Sequence, residues 1–409
     1  MGYQPRFNQA EEPVKKTSPG KVVLVLAVSL ASLALTLGLL LLMFLNVGRP
    51  NVAANVKSVK LELMDTYDAY MDENVENLRL SLQTGLGNQQ EQPDVSGEGT
   101  KPAKKTYAPL RDEDLVAPEP NQALFGATSD REVLKEVIAQ AEEILEGQTL
   151  YFNPETTEFV LCDVRYYLDD TIFAIAWKEG HDGAAYTMAE VKVADASQIR
   201  RHLADGEYGS SKQYYATEMA ATVNAVVASA GDFYSFRDWG TEVYQGRVRA
   251  LGGSYAETCY IDINGDMHFT YPKPFASMDQ AQAFVDENNI RFSLCFGPIL
   301  VDNYEIVEHD FYYLGEPNEE YARGALCQMD KLHYLSVAAN FDKGHNRNPT
   351  VKTFQKNIAA TGCKMAYCLD GGQTATIVMN DELVNRPAKG EQRRISDIIY
   401  FATAIPEGG

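Results

Sequence analysis

The sequence lacks the residue patterns that mark several common functional classes. Its six cysteines contain no CxxC pair, and its six histidines show no HxH or HExxH spacing. A zinc site or a redox pair is therefore not indicated, and we predict no metal. Basic residues are scarce, and the formal net charge is −21. We predict no nucleic-acid partner, because a phosphate backbone is bound by a basic surface. The sequence leaves open which cofactor, if any, the protein uses.

The chain does contain one long uncharged run. Val22 to Val47 comprises 26 residues without a charge, rich in Leu, Val and Ala. This exceeds the roughly 20 residues that a helix needs to span a bilayer. A cleaved signal peptide is the alternative, but its apolar region would be only about 7–15 residues long. We therefore predict a transmembrane helix at 22–47.

The flanks of this run set its expected orientation. Residues 1–21 carry four basic side chains and three follow the run closely, a slight bias toward a cytoplasmic N-terminus. The short tail and the large C-terminal body favour the same orientation. We predict a single-pass protein of the cell membrane whose C-terminal domain is extracytoplasmic.

Two different segments follow the span. In the segment 48–82, apolar residues recur at steps of three and four, which predicts a helix. Two interpretations stay open: a stalk that forms a homodimer, or a helix lying on its own domain or on the membrane. Residues 83–123 hold five prolines and four glycines with few large apolar side chains. They predict a disordered linker, because they bury too little surface to offset their ordering entropy.

We predict that the remaining residues, 124–409, form one globular domain. A capping box of Ser129 and Glu132 predicts a helix ending at Gly147. Asn264-Gly265 between alternating runs predicts a hairpin, and "GALCQMDKLHYLSVAAN" predicts a second one. Strands outnumber helices and hairpins dominate. The predicted fold class is therefore α+β, a single mixed and mainly antiparallel-sheet domain.

The cysteines allow two interpretations. An even number of cysteines in an exported domain permits disulfides. Most of the six, however, lie inside apolar runs, where cysteine is often a small buried residue. The sequence does not indicate how they pair.

One candidate binding corner is Asp370-Gly371-Gly372, which follows an apolar strand. Two glycines can turn backbone N–H groups toward an anion without a steric cost, and Asp370 could bind sugar hydroxyls or take a proton from water. Thr374 adds a hydroxyl beside this corner. The alternative is an ordinary tight turn.

Further candidates supply a carboxylate and positive charge. Asp232 follows an apolar strand, and Arg237 comes shortly after it, next to Trp239. An arginine binds phosphate and a tryptophan stacks on a sugar ring, so this stretch suits a sugar with an anionic group. A polar loop with a surface ion pair is the alternative. Arg323 and Arg393 precede apolar strands, where arginine is commonly only solvated.

The order of these stretches resembles the phosphodiester glycosidase family over 225–409. The similar runs are "NAVVASAGDFY" from 224, "IDINGDM" at 261–267, "FGPILV" at 296–301, "ARGAL" at 322–326, "LDGGQTATIVMNDELVNRP" at 369–387 and "QRRISD" at 392–397. The best-known member of the family removes N-acetylglucosamine from a phosphodiester, and bacterial relatives are linked to exopolysaccharides and cell-surface glycopolymers. The chain departs from the family pattern at Ala230, where Asn is usual, at Ala338-Ala339-Asn340, in place of Asp-Gly-Arg, and at Cys327, in place of Gly.

The resemblance implies roles for the candidate residues. Arg323 and Arg393 would hold the phosphate, Asp370 or Asp232 would act as the base, and the two glycines would line the ligand. We expect a surface hydrolase acting on a sugar-phosphate or glycopolymer substrate. The alternatives are a catalytically weak glycan-binding or scaffolding protein on the same fold, and a stalked protein whose partner is another protein.

Overall fold

The computed structural model describes residues 107–147, 149–159, 163–252, 256–309, 318–340 and 347–406. The predicted tail, membrane span and stalk (1–82) lie outside these residues, as does the linker up to residue 106. Within the described ranges, no helix combines the length and the apolar character that crossing a bilayer requires.

Antiparallel strands dominate the described part of the chain. The strands are β1 Phe125–Thr128, β2 Val164–Leu168, β3 Ile172–His181, β4 Ala184–Val193, β5 Ile199–Leu203, β6 Val227–Ala230, β7 Thr241–Tyr244, β8 Arg247–Leu251, β9 Thr258–Asp262, β10 Met267–Thr270, β11 Ile290–Leu294, β12 Ile299–Asp302, β13 Glu305–Ile306, β14 Arg323–Asp330, β15 His333–Asn340, β16 Met365–Leu369, β17 Ile377–Met379, β18 Glu382–Leu383 and β19 Asp397–Phe401. The helices are α1 Arg131–Ile144, α2 Ala216–Thr222, α3 Met278–Glu287 and α4 Val351–Ala359. The predicted mixed, mainly antiparallel α+β class is confirmed.

These strands form three sheets. The large sheet has nine strands in the order β1-β2-β3-β4-β15-β14-β16-β12-β13. One five-stranded sheet has the order β10-β9-β11-β7-β8, and the other has the order β18-β17-β6-β19-β5. The predicted hairpins are present: β9 pairs with β10 across the Asn264-Gly265 turn, and β14 pairs with β15.

The large sheet is buried on both faces. Along β3, Ile175 and Trp177 share a buried cluster with Leu134 of α1, on the face that α1 and α4 cover. Ala174 and Ala176 point to the other face, because successive side chains of a strand alternate, and share a cluster with residues of the two smaller sheets. Burial on both faces explains the nearly continuous apolar sequence of β3 and β4.

The start of α1 differs in detail from the prediction. Asp130 is the N-cap, and its carboxylate accepts from the Glu132 amide at 2.9 Å. Ser129, the predicted cap, lies one residue too early, and its hydroxyl is 3.4 Å from Asp163. The helix ends at Ile144, before Gly147.

Residues 107–123, which the composition placed in the linker, lie against the domain. Arg291 on β11 donates from Nε to Asp112 at 3.0 Å, and the amide of Ala117 donates to the carbonyl of Val223 at 3.2 Å. Ala117 is buried against α2. An ion pair and a buried methyl group outweigh the polar composition of this stretch.

Candidate active site

Four distant segments meet at one corner of the domain. Gly324 on β14 lies opposite Leu369 on β16, so Arg323 and Asp370 stand at the same end of neighbouring strands. The Asp370 amide donates to the carbonyl of Gly231, which directly follows β6, at 3.4 Å. The segment before β19 joins through the Arg393 amide, which donates to the carbonyl of Gln373 at 3.2 Å.

This corner holds a cleft of about 360 Å³. Five of the eight predicted site residues line it, namely Arg237, Arg323, Asp370, Gly371 and Arg393. The structure thus brings together residues that are far apart in sequence. Nine further lining residues were not among the predicted site residues, and the largest side chains among them are Phe233, Phe296, Tyr321 and Lys389. The two phenylalanines belong to the "GDFY" and "FGPILV" runs that resemble the family, and this membership could have identified them from the sequence.

Asp370 is the carboxylate of the cleft. Burial raises its pKa, and the positive charges of Arg393 and Arg237 and the hydrogen bond from the Gly371 amide oppose that rise. Nη2 of Arg393 lies 3.0 Å from Oδ2 of Asp370. A partly desolvated carboxyl group with a raised pKa is a better proton acceptor than an exposed one.

Arg323 also lines the cleft and is almost fully buried. Its Nε donates to the carbonyl of Pro349 at 3.3 Å, and its Nη2 donates to the carbonyl of Glu319 at 3.1 Å. These two carbonyl groups hold the guanidinium of Arg323 at a defined place in the cleft.

Aromatic rings hold the other two guanidinium groups. The guanidinium carbon of Arg237 lies 4.0 Å from the centre of the Trp239 ring and 4.9 Å from that of Phe296. Phe233 lies 5.7 Å from Arg237 and 4.8 Å from Arg393, measured in the same way. Stacking of this kind orients the plane of a guanidinium group.

The two glycines of the corner act through packing. A Cβ at Gly371 would lie 2.3 Å from the carbonyl oxygen of Ala322, and Gly372 has a φ of +69°. Their amides are bonded inside the protein: Gly371 donates to Asp370 Oδ1 at 2.9 Å and Gly372 to the carbonyl of Ala322 at 2.8 Å. The expected concavity of free N–H groups is therefore not formed here, because both donors are used to close the corner.

Asp232 and Thr374 lie behind the cleft. Both are buried, and neither is among the described residues that line it. The Thr374 hydroxyl donates to the carbonyl of Gly371 at 2.6 Å. Asp232 accepts from Arg201 Nη2 at 2.7 Å and from the Cys295 amide at 2.7 Å. Asp232 is thus placed as a structural group, and Asp370 is the candidate base that faces the cleft.

The buried charge behind the cleft centres on Arg201, which the sequence did not reveal. This residue of β5 bonds three buried carboxylates: Asp232, Glu242 at 3.2 Å and Asp397 at 2.9 Å. Burial is the main cause that raises the pKa of Asp232, to about 7, and that of Asp397, to about 6. The sequence around Arg201 contains no pattern that would predict these three carboxylate partners, because they come from distant segments of the chain.

One group of metal-ligating side chains occurs among the described residues. Single atoms of Asp232, Glu242 and Cys295 lie within 4.8 Å of one another. The guanidinium of Arg201 already bonds both carboxylates and supplies the positive charge that an ion would bring. The group therefore gives no argument for a metal.

Two of the departures from the family pattern, Ala230 and Asn340, are in the strands that lead to the corner. Ala230 is buried on β6, opposite Ile398. Asn340 is buried at the end of β15; its amide donates to the carbonyl of Ala375 at 3.0 Å and its Oδ1 accepts from Asn385 at 3.1 Å. Asn340 therefore holds the backbone at Ala375, the residue after Thr374, in place.

The structure is a mixed α+β domain with an arginine-rich cleft. Comparison with known proteins agrees with the resemblance to the phosphodiester glycosidase family. Residues 223–402 match the family model described as phosphodiester glycosidase. The suspected family is thus confirmed over this segment, which contains every predicted site residue. No curated protein sequence matches the chain.

Solved structures that align with part of this chain were also found. One is the zebrafish N-acetylglucosamine-1-phosphodiester alpha-N-acetylglucosaminidase catalytic domain auto-inhibited by its pro-peptide: 17% identity, 57% of this chain and 83% of that chain covered, TM-score 0.45. Another is a hypothetical protein from Synechocystis: 15% identity, 58% of this chain and 63% of that chain covered, TM-score 0.42.

Proposed function

We propose that the chain is a hydrolase that cleaves a sugar-1-phosphodiester, such as an N-acetylglucosamine-1-phosphodiester, in a surface glycopolymer or exopolysaccharide. In this proposal the predicted helix at 22–47 anchors it in the cell membrane, with the C-terminal domain outside. The observation that carries the activity is the meeting of Arg237, Arg323, Asp370 and Arg393 in one cleft. They come from separate segments within the part that matches the phosphodiester glycosidase family.

The geometry suits the chemistry of this bond. When the sugar–oxygen bond breaks, the departing phosphate monoester is already a weak base, so it needs neutralisation of charge more than a strong general acid. Arg237, Arg323 and Arg393 would provide this neutralisation, because arginine binds phosphate oxygens in a bidentate manner. Asp370 would activate water or stabilise the oxocarbenium-like transition state on the sugar side.

The test is release of reducing sugar from methyl N-acetylglucosamine-1-phosphate diester by the purified full chain. Asp370→Asn should reduce the rate at least about 100-fold, the range of a lost general base. Asp381→Asn is the matched control: Asp381 is an exposed turn residue at φ +60°, where asparagine is readily accepted, and its rate should stay at the wild-type level. A panel of sugar-1-phosphodiesters left intact by the wild-type chain would overturn the proposal.

A catalytically weak glycan-binding protein is the second candidate. Its support is Ala230, which brings no polar group to the strand that leads into the corner, and Asn340, whose amide is used to hold the backbone. It predicts that N-acetylglucosamine 1-phosphate binds to the wild-type chain in calorimetry while no diester is turned over. It also predicts that Ala230→Asn raises the turnover of the diester.

A further inference from the structure

The lining of the cleft is strongly basic. Among the described residues that form it, Arg237, Arg323, Lys389 and Arg393 are basic, whereas Asp370 is the one acidic residue. The whole chain has a formal net charge of −21, so this local excess of positive charge runs against the composition. A phosphodiester carries a single negative charge, and the proposed reaction assigns that charge to the three arginines. It leaves no role for Lys389.

The backbone at Lys389 has a conformation that favours glycine. Lys389 lies in a turn that the Gly390 amide closes by donating to the carbonyl of Pro387 at 2.9 Å. Its φ is +62° and its ψ is 6°, the left-handed region in which a turn ordinarily has glycine or asparagine, because a larger side chain is strained there. Strain observed in the wall of a cleft indicates that the side chain itself has a function.

Neighbouring hydrogen bonds fix the loop that carries Lys389 and Arg393. The carbonyl of Gln373 accepts from the Arg393 amide at 3.2 Å, and its Nε2 donates to the carbonyl of Glu391 at 3.2 Å. Arg393 is paired with Asp370. Lys389, by contrast, is exposed and forms no ion pair with a carboxylate of the described residues. Its ammonium group is therefore available to an anion in the cleft.

We propose that the substrate carries a second anionic group, a phosphate or a carboxylate, in the alcohol part beyond the scissile phosphodiester, and that Lys389 binds this group. The inference rests on the proposed function. The second group belongs on the side away from the cleaved sugar, because the Asp370 carboxylate on the sugar side would repel it. An exposed lysine suits this role, since its ammonium is a compact point charge on a flexible stem. The substrate class is then an anionic glycopolymer.

The kinetic test compares three N-acetylglucosamine-1-phosphodiesters that differ in the esterified alcohol: 1-propanol, 3-hydroxypropanoate and 3-hydroxypropyl phosphate. At low salt the wild-type full chain should cleave at least one charged diester with a kcat/KM about tenfold higher than that of the propyl diester. The preferred charged diester identifies the group as carboxylate or phosphate. The preference should shrink in about 0.5 M NaCl, because salt screens exposed charges. Equal kcat/KM values for the three diesters would overturn the proposal.

A binding measurement separates this inference from the reaction. Phosphonate analogues of the three diesters, with CH2 in place of the scissile oxygen, cannot be cleaved at the sugar, and their affinities are measured by calorimetry. Binding of a charged analogue about tenfold tighter than the propyl analogue supports the second anionic group, even for a chain that hydrolyses none of the diesters. Equal affinities would contradict it, whatever the wild-type rate on the propyl diester.

Variants of Lys389 assign the preference to this residue. Lys389→Met and Lys389→Gly should both lower the tenfold preference to about twofold. Lys389→Gly should do so without lowering the Tm, because glycine relieves the strain at this φ. Lys273→Gly is the matched control: Lys273 has a φ of +58° and lies outside the cleft lining, so the preference should stay at the wild-type level. A full preference in Lys389→Met would overturn the role of Lys389.

Discussion

Arg393 and Asp370, which are 23 positions apart in the sequence, form an ion pair in the cleft, with Nη2 of the arginine 3.0 Å from Oδ2 of the carboxylate. Asp370 is largely buried, whereas the Arg393 side chain is 47% exposed. The arginine thus reaches the carboxylate from the open side of the cleft. An anionic ligand entering the cleft would meet Arg393 first, so binding and the protonation of Asp370 are linked.

This link predicts the effect of Arg393→Met. The positive charge of Arg393 opposes the rise that burial causes in the pKa of Asp370. Its loss should therefore raise that pKa further, and we expect the acidic limb of the kcat/KM profile to move up by about one pH unit. A carbon-13 NMR titration of the Asp370 carboxyl group reads the same shift without any activity.

Arg394→Met is the matched control. Arg394 points elsewhere: its guanidinium donates to the carbonyl of Gln213 at 3.2 Å and lies 4.7 Å from the centre of the Tyr215 ring. Its pH profile should coincide with the wild-type profile. If Arg393→Met also left the acidic limb of the kcat/KM profile unchanged, the ion pair would not control the pKa of Asp370.

The aromatic support of Arg237 can be tested through binding. Trp239→Leu keeps an apolar side chain but removes the ring beneath the guanidinium. We expect the affinity for N-acetylglucosamine 1-phosphate to fall about fivefold in calorimetry, since a partly exposed cation–π contact contributes about 1 kcal/mol. Trp239→Phe should restore most of it. Tyr271→Leu, on an exposed ring outside the cleft lining, is the control; an equal loss in that variant would rule out a specific role for Trp239.

The close approach at Gly371 predicts a loss of stability. In Gly371→Ala the new Cβ would meet the carbonyl oxygen of Ala322 at 2.3 Å, and this backbone atom cannot move aside as a side chain can. We expect the free energy of unfolding to fall by about 3 kcal/mol in urea titration. Gly362→Ala is the control, since its Cβ meets nothing within 4 Å and only its φ of +76° causes strain. Its loss should be about 1 kcal/mol.

The carboxylates around Arg201 predict a dependence of stability on pH. Burial raises the pKa of Asp232 from its ordinary value of 3.8 to about 7 in the folded protein. Between these two values the folded state holds a proton that the unfolded state has lost. The contribution of Asp232 to the free energy of unfolding therefore falls as pH rises from about 4 to 7.

A difference measurement isolates this contribution. Buried His202, whose pKa is lowered to about 4, acts in the opposite direction, so the wild-type curve alone mixes several groups. We expect the stability of wild type relative to Asp232→Asn to fall as pH rises from 5 to 8. Asp205→Asn, at a surface carboxylate paired with Lys212, should show no such trend. A flat difference for Asp232→Asn would mean that this carboxyl is ionised throughout.

Local patterns in the sequence determined much of the fold. The Asn264-Gly265 turn and the hairpin of β14 and β15 both depend on neighbouring residues, which is why the sequence was enough to predict them. The cap of α1 was missed by one residue, because Ser129 and Asp130 are both good N-caps and only the geometry of the turn chooses between them.

The order of short motifs also indicated which residues form the site, but their roles depended on packing across strands. Asp370 and Asp232 both follow apolar strands, and the sequence presents them as equivalent bases. The tertiary structure separates them: Asp370 faces the cleft with Arg393, whereas Asp232 is enclosed with Arg201. Arg201 itself gave no signal. What surrounds a charged side chain is set by the strands that pack on it, and those come from distant parts of the chain.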